Sequence, residues 1–172
     1  MQKKTNIQSA LKRKYPEQVV LVTSARPEGG ANVMAVGWVA IASGDPLMFA
    51  LGIDDEAYTY ELIGKSREFV VAFPCEDMAA AVLCAGSRHG RGIDKIAACS
   101  LKTAPATQVA APLLEDAVAN FECVLAEVYR PGDCPIVIGK VVAAHENTNP
   151  AVRRLYTVAP GHKLAGVAPR QD

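Results

Sequence analysis

The 172-residue sequence has few aromatic residues and no surplus of charge of either sign. Aromatic side chains make up 6% of the chain, so the core formed by its 50% hydrophobic residues has to be mainly aliphatic. Lysine and arginine number 18, as do aspartate and glutamate. Because binding to nucleic acid phosphates relies on a basic surplus, the balanced charge argues against a nucleic acid partner and against a polybasic membrane anchor.

Long apolar runs are also missing. No segment approaches the roughly 18 apolar residues that a membrane span requires. The basic N-terminus, residues 1–6, is not followed by an apolar run of signal-peptide length. We therefore expect a cytoplasmic protein that does not enter a membrane, and the length suits a single domain over residues 1–172.

The motifs of metal, nucleophile and dinucleotide sites are absent from the sequence. The five cysteines contain no Cys-x-x-Cys pair and the three histidines are scattered, which predicts no metal site and thiols that stay reduced and mostly buried. There is no Gly-x-Ser-x-Gly, and no Gly-x-Gly-x-x-Gly follows a strand. Nothing supports a nucleophilic Cys–His pair, so the sequence predicts no catalytic side chain.

The stretch that we take as the centre of the fold is residues 32–45. It is rich in small apolar residues, contains Gly37 and holds the only tryptophan, Trp38. Short apolar runs that are typical of strands flank it at 18–25 and 47–53. We expect 32–45 to be one central strand of a β meander, with room beside its backbone for a ligand.

The rest of the chain alternates between strands and short helices. Further strands are predicted at 69–73, 117–129 and 136–144, the last with a bulge at Gly139. Alternation places Glu122 on the solvent face of its strand. The predicted helices cover the ranges 7–14, 57–65, 78–84 and 93–99. The tail from Asn147 either closes over a neighbouring subunit or lies on the surface.

This pattern predicts a mainly β fold with inserted helices (α+β), arranged as a closed or split β-barrel. A doubly wound α/β fold is disfavoured because the first three strands have no helical crossovers between them. The basic, glycine-rich loop 86–92 is suited to a phosphate, or is simply a solvated loop. On the residues alone, these parts suit an anionic, planar ligand.

The order of the motifs resembles that of the flavin reductase-like family that includes flavoredoxin. The resemblance covers roughly residues 15 to 145. Each motif is weak alone, but nine occur in the family's order at compatible spacing. They are residues 16–24, 32–38, 45–47, 58–63, 68–71, 92–95, 111–113, 121–123 and 139–142.

The resemblance implies an FMN-binding split β-barrel of the Greek-key type and a homodimer, with each flavin near the subunit interface. It places Asn32 and the backbone of residues 34–38 along the isoalloxazine and Thr59 at the phosphate. Lys95 is implied to lend its charge to the phosphate or to the flavin ring, with Asp94 orienting it. Ser87 and Arg88 are implied as further phosphate contacts. The full set of implied cofactor-binding residues is Asn32, Met34, Ala35, Val36, Gly37, Trp38, Thr59, Ser87, Asp94, Lys95 and Cys134.

Two positions depart from the family's pattern. The family often has threonine where Ala35 stands and histidine where Cys134 stands. Each departure removes a hydrogen bond and is expected to weaken FMN binding by about 1 kcal/mol.

The resemblance implies an oxidoreductase whose FMN accepts electrons from NAD(P)H and passes them to free flavin or another small acceptor. The chemistry then belongs to the cofactor, in agreement with the lack of a catalytic constellation. Two alternatives stay open. One is an FMN-binding electron carrier that a redox protein partner reduces, and the other is a cofactor-free binding module on the same fold.

Overall fold

The computed structural model describes residues 1–168. Its largest element is a seven-stranded sheet, accompanied by a three-stranded sheet and a two-stranded ribbon, and every strand pair is antiparallel. The strands are β1 (Glu17–Gln18), β2 (Val20–Ala25), β3 (Ala31–Val36), β4 (Val39–Gly44), β5 (Leu47–Gly52), β6 (Glu68–Phe73), β7 (Thr103–Ala104), β8 (Leu113–Leu114), β9 (Ala119–Tyr129), β10 (Ile136–Glu146), β11 (Arg154–Ala159) and β12 (Lys163–Val167).

Four α-helices accompany these strands, one before β1 and three inserted between later strands. They are α1 (Ile7–Leu11), α2 (Tyr58–Ser66), α3 (Ala79–Ser87) and α4 (Lys95–Ala98), and a single 3₁₀ turn at Glu76–Met78 precedes α3. Within residues 1–168, none of the helices combines the length and the apolar character needed to cross a membrane. The expectation of a mainly β fold with inserted helices is confirmed.

The seven-stranded sheet curls into a split barrel. Its strand order is β3-β2-β6-β9-β10-β5-β4, so β3 and β4 lie at opposite edges. Only Gly37 and Trp38 separate these two strands in the chain. Because two residues span only a few ångströms, the edges of the sheet have to approach each other. The prediction of one continuous strand over 32–45 is therefore wrong. Small apolar residues continue through the break, so the sequence pattern does not indicate it.

Strand β2, inside the sheet, is buried on both of its faces. Val20 and Val22 point into the barrel interior, where they pack with the ring of Phe69. Leu21 points the opposite way, into a second core that includes Val82 of α3. This outer layer of helices explains why β2 begins with three consecutive apolar residues rather than with an alternating pattern.

The C-terminal tail forms a hairpin that sequence reasoning did not predict. Strands β11 and β12 pair with each other, and β1 pairs with the other edge of β11. The first contact joins Glu17 to Thr157, residues far apart in the chain. The resulting small sheet brings the segment that precedes β2 together with the C-terminal hairpin.

Glu122 is fully buried, so its predicted position on the solvent face is wrong. The loop between β7 and β8 covers that face of β9. Glu122 Oε1 accepts hydrogen bonds from the backbone N–H (2.9 Å) and hydroxyl (2.7 Å) of Thr107. Its Oε2 accepts from the backbone N–H groups of Gln108 and Val109 at 2.6 and 3.1 Å. His145 Nε2 lies 2.6 Å from Oε1.

The prediction that all cysteines are reduced is also wrong, because Cys84 and Cys99 form a disulfide. The first lies on α3 and the second directly follows α4. Both helices pack on β3, which brings the two sulfurs together although the sequence shows no paired-cysteine motif. The thiols of Cys75 and Cys123 are free and buried, and the free Cys134 is partly exposed.

Gly139 lies at the predicted bulge, where the register between β10 and β9 shifts. A Cβ at this position would overlap Cζ of the buried Phe69 and lie 3.1 Å from both of its Cε atoms. We expect Gly139→Ala to destabilise the protein by about 1–3 kcal/mol, the usual cost of overpacking a core. Urea unfolding measures this change. Gly132→Ala, which meets open space, is the control, and equal effects of the two changes would contradict the prediction.

Candidate functional site

Two adjoining pockets form one cleft alongside β3. The narrow part has a volume of about 390 Å³ and the broad part a volume of about 820 Å³. They share the lining residues Met34, Asp54, Gly86 and Ser87. The narrow part lies between β3, the start of α2 and the loop after α3. The broad part continues along β3 toward the small sheet of β1, β11 and β12.

The floor of the narrow part carries a buried polar pair. Asn32 Nδ2 donates a hydrogen bond to the hydroxyl of Thr59 at 2.8 Å, and both residues are buried. Asn32 Oδ1 has no hydrogen-bond partner among the described residues. A buried acceptor without a partner is costly, which marks this floor as a place where a ligand donor is favoured.

Lys95 places a buried cation at the narrow part. Its side chain is 3% exposed, and its Nζ donates to the carbonyl of Ala85 at 2.6 Å. Desolvation, and secondly the positive charge of Arg26, lower the pKa of Lys95 to about 8. Asp94 accepts from the backbone N–H of Ala97 at 3.1 Å and so caps the short helix that begins at Lys95. A bound anion would offset the cost of this desolvation, because an opposite charge stabilises the ammonium group.

Arg26 holds the loop that covers the narrow part. Its Nη2 donates to the carbonyl of Gly90 at 3.0 Å and to the carbonyl of Ile93. Its guanidinium also lies over the ring of Tyr58, 5.7 Å from the ring centroid, and that of Arg91 lies 4.9 Å from the same centroid. Sequence reasoning missed Arg26, because it follows a predicted strand and belongs to no motif.

The broad part is mainly apolar. The side chains and backbone of residues 34–38 line one side, and Trp38 contributes an indole that is 60% exposed. The opposite side is formed by Tyr15 from the N-terminal segment and by His162 and Leu164 of the C-terminal hairpin. Sequence reasoning missed this second side, because the hairpin itself was not predicted.

The structure brings together ten of the eleven residues that the sequence singled out. The narrow part is lined by Asn32, Thr59 and Lys95, and the broad part by Ala35, Val36, Gly37, Trp38 and Cys134; Met34 and Ser87 line both. Asp94 lies outside this lining and serves as the cap of α4. Arg88 and His89 also line the narrow part.

Gly90 is a position where the narrow part tolerates no side chain. A Cβ there would overlap Asn32 Oδ1 and lie 3.0 Å from Cδ1 of Tyr58. Since Asn32 is held by Thr59, we expect Gly90→Ala to displace the covering loop and to weaken binding of FMN by about tenfold, within the range of overpacking costs. Flavin fluorescence titration measures the affinity. Gly64→Ala, which meets open space in α2, is the control and should bind FMN as the wild type does.

Comparison with known proteins places the chain in a family. A family model described as "Flavin reductase like domain" matches residues 12–159. The protein therefore belongs to the flavin reductase-like family, and the resemblance noted from the order of motifs is confirmed.

Individual proteins resemble the chain in sequence or in fold. An uncharacterized protein of Pyrococcus abyssi is 35% identical over 129 residues, which cover 75% of this chain and 73% of the relative. The structure resembles flavoredoxin of Desulfovibrio vulgaris with a TM-score of 0.86 and 20% identity, covering 100% of this chain and 96% of the other. It also resembles an FMN-binding protein from Thermus thermophilus with bound p-hydroxybenzaldehyde, with a TM-score of 0.84, 25% identity and coverage of 100% and 98%.

Proposed function

We propose that the protein binds FMN in the cleft and is an oxidoreductase that transfers electrons from NAD(P)H to free flavin or another small acceptor. The observation that carries this proposal is the division of the cleft. Its narrow part is cationic and polar, whereas its broad part is mainly apolar and bordered by the small residues of β3. A phosphate ester attached to a flat ring system has this same division.

The residues of the narrow part fit the phosphate and the polar chain that carries it. Lys95 supplies a buried positive charge, and Thr59 and Ser87 supply hydroxyl groups. Asn32 Oδ1 offers an acceptor to a hydroxyl of the ligand, since it has no partner among the described residues. Arg88 adds a second cation at the edge. Charged hydrogen bonds of this kind are the strong ones in anion recognition.

The residues of the broad part fit the ring system. Ala35 and Gly37 leave their backbone open to close approach, and Trp38 borders the same space. When bound, FMN supplies hydride-accepting chemistry. The chain then has to position the ring, exclude water from one face and leave the other face open to a second ligand. A volume of about 820 Å³ provides space for that ligand beside the ring.

We propose a homodimer as the functional form. Strand β4 lies at a sheet edge, and Ile41 on it is 67% exposed. Next to it is an open groove of about 500 Å³ that Trp38, Val39 and Ile136 help to line. Exposed apolar residues at a strand edge are typical of protein–protein contacts. A second copy covering this groove would also shield Trp38 at the cleft.

Reduction of bound FMN without air tests the proposed activity. We expect NADH or NADPH to bleach the flavin absorption of the FMN-loaded protein. Bound flavin that stays oxidised with both nucleotides would contradict the NAD(P)H-dependent activity. Bleaching by a reduced ferredoxin in the same sample would then favour the electron carrier.

A further inference from the structure

The Cys84–Cys99 disulfide closes the chain around the cationic side of the narrow part. The two cysteines are 15 residues apart in sequence, and their Cα atoms lie 5.6 Å from each other. The enclosed segment, residues 85–98, contains Arg88, His89 and Lys95 of the lining. The disulfide thus links α3 to the end of α4, and the covering loop connects these two helices.

The disulfide also lies next to the bond that holds Lys95. Ala85, which directly follows Cys84, accepts the hydrogen bond from Lys95 Nζ. Cys99 donates its backbone N–H to the carbonyl of Lys95 at 3.0 Å. Cys99 is therefore bonded to Lys95 and Cys84 adjoins its acceptor, so the covalent bond helps to keep α3 and α4 at the separation that this hydrogen bond needs.

One of the two cysteines is accessible and the other is buried. Cys84 lines the broad part of the cleft and is partly exposed, whereas Cys99 is buried. An external thiolate can therefore attack the sulfur of Cys84, with Cys99 as the leaving group. Two thiols cannot approach as closely as two bonded sulfurs, and the buried Cys99 leaves little space to separate them. We expect the end of α3 to move away from α4 when the bond opens.

We propose that Cys84–Cys99 is a redox-modification site through which small thiols control how tightly the narrow part holds an anion. The oxidised form binds tightly and the reduced form weakly. In the reducing step, a dithiol loses two electrons and two protons and becomes a disulfide. The Cys84–Cys99 bond breaks, and each sulfur gains one electron and one proton. The measurement of FMN affinity rests on the proposed function. The measurement of order in residues 85–98 does not depend on it.

The test compares oxidised protein with protein reduced by dithiothreitol and desalted under nitrogen. Mass spectrometry counts the disulfide, since reduction adds two hydrogen atoms. Fluorescence titration gives the affinity for FMN, and amide hydrogen exchange reports on residues 85–98 without any ligand. The double variant Cys84→Ala, Cys99→Ala has no bond to open and serves as the control for effects of the reductant.

We expect reduction to weaken FMN binding by about tenfold or more, a typical coupling between two sites, and to speed exchange across 85–98. The double variant should resemble the reduced protein and ignore dithiothreitol. Equal affinity for FMN and equal amide exchange of residues 85–98 in both redox states would overturn the proposal. So would a failure of oxidised glutathione to convert the reduced Cys84 and Cys99 back to a disulfide. If FMN binds to neither form, the proposed function fails, and the exchange measurement alone decides whether the disulfide orders the loop.

Discussion

Replacing Lys95 with methionine is expected to weaken FMN binding by about 10- to 100-fold. This factor corresponds to the free energy that a hydrogen bond to a charged group contributes. Lys95 is buried at the narrow part, and the only described partner of its Nζ is the carbonyl of Ala85. An anion there would pair with a cation that burial has already desolvated. Isothermal titration with FMN measures the loss.

The pKa of Lys95 gives this prediction a second readout. In the free protein that pKa is lowered to about 8, so the ammonium group loses its proton as the pH rises through this value. Wild-type affinity for FMN should therefore fall between about pH 7 and about pH 9, with proton uptake on binding near the upper end. Lys95→Met should show neither effect.

Lys102→Met is the matched control for both readouts. Lys102 is largely exposed, and its nearest acidic partner is Asp116, at 3.8 Å. It lines neither part of the cleft. Thermal unfolding of each variant separates a loss of affinity from a loss of fold. A Lys95→Met protein that is folded and binds FMN with wild-type affinity would refute the assignment of Lys95 to the phosphate.

Replacing Glu122 with alanine is expected to destabilise the fold by about 3–5 kcal/mol, the usual cost of removing one member of a buried charged network. The backbone N–H groups of Thr107, Gln108 and Val109 all donate to this carboxylate. Without it these N–H groups lose their acceptor, the buried one of Val109 included, and the loop between β7 and β8 loses its anchor. Urea unfolding gives the free energy. Glu127→Ala, an exposed position on the same strand, should change it by less than about 0.5 kcal/mol.

The pH dependence of stability checks the same carboxylate. Burial alone would raise the pKa of Glu122, but the hydrogen bonds from Thr107, His145 and Gln108 outweigh it and lower this pKa from 4.5 to about 2. Because the pKa is lower in the folded state, the stabilisation is complete above about pH 4.5 and is lost as the pH falls toward 2. Glu122→Gln should be less stable than wild type at neutral pH and should lose less stability across this acid window. If Glu122→Gln loses as much stability at acid pH as the wild type does, this account is contradicted.

Local pattern predicted the elements that form the cleft but not all of their partners. Residues 32–38, Thr59 and Lys95 were identified from sequence because their order and spacing match a family. The alternation of polar and apolar residues along β9 correctly predicted a strand but wrongly placed Glu122 in solvent. That error arises because alternation assigns a face and does not show that a distant loop covers it.

The remaining errors have a similar physical origin. The break between β3 and β4 follows from pairing with different strands, β2 and β5, and leaves no mark in an apolar run. The C-terminal hairpin is stabilised partly by β1, whose pairing residues are about 140 positions away in the chain. The Cys84–Cys99 pair depends on two helices packing on one strand. The last two are long-range contacts, which a single sequence does not encode as a local signal.

The visible absorption spectrum of the purified protein, before and after incubation with FMN and desalting, tests the central claim most directly. The cleft predicts a retained flavin spectrum after desalting, despite alanine at position 35 and cysteine at position 134. A protein that stays colourless after incubation would contradict FMN binding. It would favour the cofactor-free module on the same split barrel.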